Sequence, residues 1–169
     1  EGFGDYWGAS YNWTCVNGST FHPEWAFAWD GHSDGAWGGR LLDMTNLTYD
    51  PGHTYVDHET INGIPNYSDQ LWGAPIYMAF RDLIDLGRPR EEMDKIIIQS
   101  FFGIGPGVTM RDMANATVAA AMTLFPAGPH ATVYSSRFRN QEILMTPTLP
   151  TPTLLYPVGG EAIRTGTVI

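Results

Sequence analysis

The first five residues, Glu1-Gly2-Phe3-Gly4-Asp5, put two carboxylates at i and i+4. On a helix that spacing places them on one face, with Cβ atoms about 5–6 Å apart. Like charges so placed repel unless a cation lies beside them, and acidic pairs at this spacing are common on solvated helix faces. Here the neighbours are Phe3, Tyr6, Trp7, Ala9 and Tyr11 rather than Lys, Glu or Gln. The pair therefore reads as enclosed and chemically usable. The five histidines are His22, His32, His53, His58 and His130, and no two of them form His-x-x-x-His. Isolated loop histidines more often hydrogen-bond than ligate a metal. Cys15 is the single cysteine, so neither an intrachain disulfide nor a cysteine-based zinc site can form.

Two loop segments carry competing chemistry. Asp30-Gly-His-Ser-Asp34-Gly35 has oxygen donors near a glycine, as calcium loops do. However, His32 stands at the intermediate oxygen position and no bidentate Glu follows, so a glycine-rich turn is favoured over Ca. Trp13, Trp25, Trp29 and Trp37, with Asp30, Asp34 and Asn46, have the composition of a sugar-stacking surface. Packing of those rings against the helices is favoured, because the helical stripes alone offer little cover.

The elements that position these residues fall into three regions. Residues 1 to about 65 hold five of the six Trp and read as a short helix followed by a long, ordered, aromatic loop system. From Ser68 to Asn140 helical periodicity takes over. Ser68 can cap a helix whose stripe is Leu71, Trp72, Ile76, Ala79, Phe80, Leu83 and Ile84, ending at Gly87. Pro75 should kink that helix or mark its first turn. Pro89 suits the first position of a second helix with Met93, Ile96, Ile97 and Phe101 inward. Thr109 and Asp112 form a capping pair for a third, carrying Met110, Met113, Ala114, Thr117, Val118, Ala121, Met122 and Phe125 until Pro126. A shorter fourth helix covers Ala131 to about Arg139. Residues 146–153 are a Pro-rich linker, and 154–169 read as a short β segment opening a further module.

With these elements placed, Glu1-Gly-Phe-Gly-Asp5-Tyr-Trp resembles the Glu-x-x-x-Asp helix of the thermolysin-like and fungalysin-like zinc metallopeptidases, the gluzincins. A second match is Asn66-Tyr-Ser-Asp-Gln-Leu-Trp72, which is similar to the family helix opened by a His that donates to the developing oxyanion. The resemblance covers roughly residues 1 to 144. It implies a mainly α fold over 1–145, the helical C-terminal subdomain of such a peptidase with long aromatic-rich loops, followed by the linker and the start of a β-sandwich domain. It implies that Glu1 is a Zn ligand and that Asp5 orients a ligand His. Asn66 occupies the oxyanion position as a neutral donor, where an ordinary helix-start role after Pro65 is the equal alternative. His58, eight residues earlier, is the substitute donor.

The family's His-Glu-x-x-His helix has no counterpart in this sequence. The expectation is a piece of a longer extracellular peptidase, secreted, acting on a peptide or protein substrate together with an N-terminal catalytic half that carries the zinc histidines. Alone, the chain is expected to be inactive. The alternatives are a non-catalytic module binding carbohydrate or protein, and a degenerate peptidase kept for interactions. Eighteen Asp and Glu against nine Lys and Arg give a net charge of −9, which argues against nucleic-acid and membrane-surface partners. No apolar run approaches the roughly 20 residues of a membrane span. Five Asn-x-Ser/Thr sequons occur, at Asn12, Asn17, Asn46, Asn66 and Asn115. Asn66 and Asn115 fall where helices should pack, which makes chance the favoured explanation.

Overall fold

A computed structural model describes residues 2–27, 39–49, 60–61, 64–65 and 68–145. The described residues are mainly α-helical: α1 (Gly2–Asn12), α2 (Ser68–Asp85), α3 (Arg90–Ser100), α4 (Met110–Leu124) and α5 (His130–Asn140). Two short strands, β1 (Thr60–Ile61) and β2 (Ile64–Pro65), pair antiparallel with Ile61 opposite Ile64. The sequence between them is Asn62-Gly63, the dipeptide favoured in two-residue hairpins. Among the described residues no helix is long and apolar enough to cross a membrane.

The helices begin and end where local chemistry allows. Thr109 and Asp112 make a reciprocal capping box, with the Asp112 amide donating to Thr109 Oγ1 at 3.1 Å and the Thr109 amide to Asp112 Oδ2 at 2.9 Å. Pro89 precedes α3 with φ −69°, and Gly87 takes φ +74°, a left-handed conformation that costs glycine little and other residues more. Helix α5 starts at His130, one residue before the expected Ala131. Pro75 does not open α2: it lies in the interior of a helix that continues to Asp85.

Helix α2 is the centre of the body, packed against α1, α3 and α5, while α4 packs against α3 and α5. The core holds Tyr6, Ile76, Tyr77, Phe80, Leu83, Met93, Ile96, Ile97, Tyr134 and Phe138. Ala114, Ala120 and Ala121 keep the buried side of α4 thin, so that α4 can approach both neighbours. One residue of the expected apolar stripes faces water instead: Met122, near the C-terminal end of α4, is 60% exposed. Phe101, just past α3, is 38% exposed and packs its ring against Phe3 of α1 at 4.5 Å between centroids. The expected Pro-rich linker at 146–153 and β segment at 154–169 lie outside the described residues.

Candidate functional site

Helices α1 and α2 meet at their N-terminal ends because both carry glycine there. A Cβ on Gly2 would stand 2.6 Å from the Asp69 carbonyl oxygen, and one on Gly73 would stand 3.3 Å from Leu42 Cδ2 and 3.7 Å from the Gly2 carbonyl. Any larger residue at Gly2 would push the helices apart. Two segments more than 60 residues apart in sequence, Gly2–Asp5 and Asp69–Gly73, are thereby brought against each other.

The third contributor arrives from the loop. The Ala26 amide donates to the Arg40 carbonyl at 3.0 Å and the Leu42 amide to the Glu24 carbonyl at 2.7 Å, closing an antiparallel bridge between Trp25 and Leu41. Leu42 is fully buried, packed over Gly73. This anchors the neighbouring Arg40 over the helix crossing. Its Nη2 lies 3.2 Å from Asp5 Oδ1 and its Nη1 3.6 Å from Asp69 Oδ2, so one guanidinium spans carboxylates from α1 and α2. The Asp5 side chain is only 2% exposed. Burying a carboxylate is costly unless a charge partner lies beside it, and Arg40 supplies one.

Of the residues singled out from sequence, Asp5 lies in this cluster. Glu1, His58 and Asn66 lie outside the described residues, as do His32, His53 and the 30–35 segment. The sequence reasoning missed Arg40. A signal was present: Arg40 is the sole Lys or Arg among the first 80 residues, against ten Asp and Glu there, a balance equal to the chain's whole net charge of −9. A lone cation in so acidic a stretch is the natural counter-ion for a buried carboxylate.

A second polar cluster, also missed, ties α1 to α3. Tyr6 Oη and Ser10 Oγ donate to Asp94 Oδ1 at 2.8 and 2.6 Å, while Arg90 Nη1 donates to Asp94 Oδ2 at 2.6 Å and to Ser10 Oγ at 3.2 Å. Burial, with Tyr134 and the Asp94 charge nearby, pushes the Tyr6 hydroxyl well above its ordinary pKa, so it stays a donor. A third cluster joins α3 to α5: His130 Nε2 meets Glu92 Oε2 at 2.9 Å, and Arg88 grips the same carboxylate with two bonds of 2.8 Å. Burial lowers the His130 pKa against the opposing pull of Glu92. These two clusters join elements and expose no reactive group, so they read as structural.

Three of the candidate binding residues are occupied within the fold. Trp13 stands edge-on to Phe80 at 5.2 Å with the Arg81 guanidinium 5.1 Å above its ring, and Trp25 stacks on His22 at 3.8 Å. His22 Nδ1 pairs with Glu24 at 3.0 Å. Among the described residues no group of three or more His, Cys, Asp and Glu converges as a metal cage. Comparison with protein-family models, with curated proteins and with solved structures finds no match.

Proposed function

We propose that this chain is the substrate-side half of a secreted zinc metalloendopeptidase that hydrolyses peptide bonds. The observation that carries this reading is the meeting of Gly2–Asp5 with Asp69–Gly73 under Arg40, because it joins the segments of the two gluzincin-like motifs. On this reading Glu1 provides one carboxylate oxygen to zinc, a donor type that zinc accepts alongside imidazole nitrogen. Asp5 follows one helical turn later. Paired with Arg40, it is suited to accept a hydrogen bond from a ligand histidine and fix that ring's orientation. The remaining donors belong to the half that carries His-Glu-x-x-His.

Zinc, when bound, lowers the pKa of a water molecule toward about 7 and polarises the substrate carbonyl. The chain's own residues then do the positioning. Asp5 and Arg40 set the charge beside the ligands, and Asn66, with His58 as the substitute, donates to the developing oxyanion. The close α1–α2 crossing holds Asp5 and Asp69 on adjoining helices, with Arg40 anchored over them.

The test uses the full-length parent protein. It should hold zinc and hydrolyse a generic protein substrate until a chelator is added. Glu1→Gln should abolish both zinc content and activity, and Asp5→Asn should weaken zinc affinity about 10–100-fold. Asn66→Ala should lower kcat and kcat/KM together by about 10–1,000-fold with zinc retained. A parent that holds no zinc, or one whose hydrolysis survives the chelator, would overturn the reading.

A further inference from the structure

Five of the seven Asn in the chain are followed two residues later by Ser or Thr without an intervening Pro. Ser and Thr together number 23 of 169 residues, so random placement would put about one Asn of the seven in such a sequon. The excess calls for a cause, and the fold sorts the four sequons it describes. Asn12 is half-buried, and its Nδ2 donates to the Gly18 carbonyl at 3.3 Å. Asn17, Asn46 and Asn115 are exposed. Asn115 lies on the solvent side of α4, two turns before the exposed Met122, so no helix packs over it. Its +2 residue Thr117, however, is fully buried and donates to the Met113 carbonyl at 2.9 Å, so packing does close that sequon, as expected.

Asn17 has the most developed surroundings. It follows α1 in a turn with φ 69°, and its carbonyl accepts the Thr20 and Phe21 amides at 3.0 and 2.8 Å. The backbone is thereby fixed while the side chain faces water. Beside it is a shallow concavity of about 430 Å³ whose walls include Asn12, Val16 and Phe21. Val16 is 93% exposed and Phe21 59%. These two side chains leave apolar surface open to solvent directly beside Asn17. The C–H face of a pyranose is suited to lie on such side chains, as aromatic and aliphatic groups line sugar sites.

We propose that Asn17 is an N-glycan acceptor, with its first sugar seated against Val16 and Phe21, and that Asn46, whose +2 residue Thr48 is also exposed, is a further acceptor. The proposal rests on the secretory part of the reading above and is independent of peptidase chemistry. In the transfer, Asn17 Nδ2 bonds to the anomeric carbon of an N-acetylhexosamine carried on a polyprenyl diphosphate. The anomeric C–O bond breaks, its electron pair leaves on the diphosphate, and the amide gives up one proton. The Ser19 hydroxyl at the +2 position is exposed, as the acceptor motif requires.

The full chain, placed behind a cleavable signal segment and translated with reticulum-derived microsomes, provides the test. Only the protease-protected fraction is scored. It should show slower bands that collapse on N-glycosidase treatment, and one band step should vanish in both Asn17→Gln and Ser19→Ala. Protected chain with no glycosidase-sensitive shift, or with a pattern unaltered by Asn17→Gln, would overturn the acceptor assignment. An apolar fluorescent dye reads the second part: glycosylated chain should bind it less than the glycosidase-treated chain. Equal dye binding by the two forms would overturn the seat against Val16 and Phe21. A protected, glycosylated chain from a parent without peptidase activity would fail the peptidase reading alone.

Discussion

Gly2 and Gly4 show how two identical residues, two positions apart in a helix and so on opposite faces, can have opposite effects. Gly2 is buried, and a Cβ there would meet the Asp69 carbonyl at 2.6 Å, a backbone atom that cannot swing aside. Gly4 is exposed, with nothing within 4 Å of a built Cβ. Gly2→Ala should therefore destabilise by about 1–3 kcal/mol through overpacking. Gly4→Ala should stabilise by about 0.5–1 kcal/mol, since alanine loses less backbone entropy in a helix. Urea unfolding of the two variants beside the parent checks both signs.

Tyr134 presents a different balance. It is fully buried, and its hydroxyl has no hydrogen-bond partner among the described residues. Burial, reinforced by the Asp94 charge, raises its pKa far above the ordinary tyrosine value, so the group stays neutral. An unmade hydrogen bond costs more than an absent hydroxyl. Tyr134→Phe should leave stability unchanged or raise it by up to about 1 kcal/mol, measured by the midpoint of thermal unfolding. A loss of 2 kcal/mol or more would mean that the hydroxyl is satisfied in solution.

At the scale of elements, Asp94 is the one acceptor shared by Tyr6 and Ser10 of α1 and by Arg90 of α3. Removing it leaves three donors facing each other without an anion. Asp94→Ala should cost about 2–4 kcal/mol, and amide exchange should quicken first in α1, whose polar link to α3 is lost. Thr109→Ala breaks only a local cap that is exposed to water, and about 1 kcal/mol is expected, with exchange changes confined to the first turn of α4. The two variants separate an interaction that joins elements from one that begins an element.

For the whole molecule, pH acts through the link between α3 and α5. Glu92 accepts from His130 Nε2, so the ring proton sits there, and Nδ1 is buried with no partner among the described residues. Charging the ring would place a second N–H where no acceptor waits. Burial accordingly holds the His130 pKa below its ordinary value of about 6.5, so the unfolded chain takes up the proton first. Stability should be level above about pH 6.5 and decline as pH falls below it. Burial would raise the Glu92 pKa, but the Arg88 and His130 bonds outweigh it and the net shift is downward. That group adds a second decline below about pH 4.3. Thermal midpoints from pH 8 to 3.5 should show both stages, and His130→Gln should remove the first while the Arg88 bonds keep a smaller second.

The helical part of this architecture was legible because its information is local. Apolar spacing marks the buried stripes of α2 to α4, the Thr109–Asp112 pair caps α4, and Gly87 and Pro126 stop the helices that precede them. Each of these signals depends on residues within one or two turns, and local sequence is enough to state it. Reading failed where a partner lies far away in the chain: Met122 carries helical spacing yet faces water, because a stripe says nothing about how far the neighbouring helix extends. Arg40 reaches Asp5 and Asp69 only after Leu42 has packed on Gly73 and the Trp25–Leu41 bridge has closed. Asp94 gains its three donors in the same way. The sequence by itself determined which segments are helical and where they start and stop. Which side chains share a buried charge was decided only by tertiary packing, because desolvation and ion pairing depend on distance in space rather than on separation along the chain.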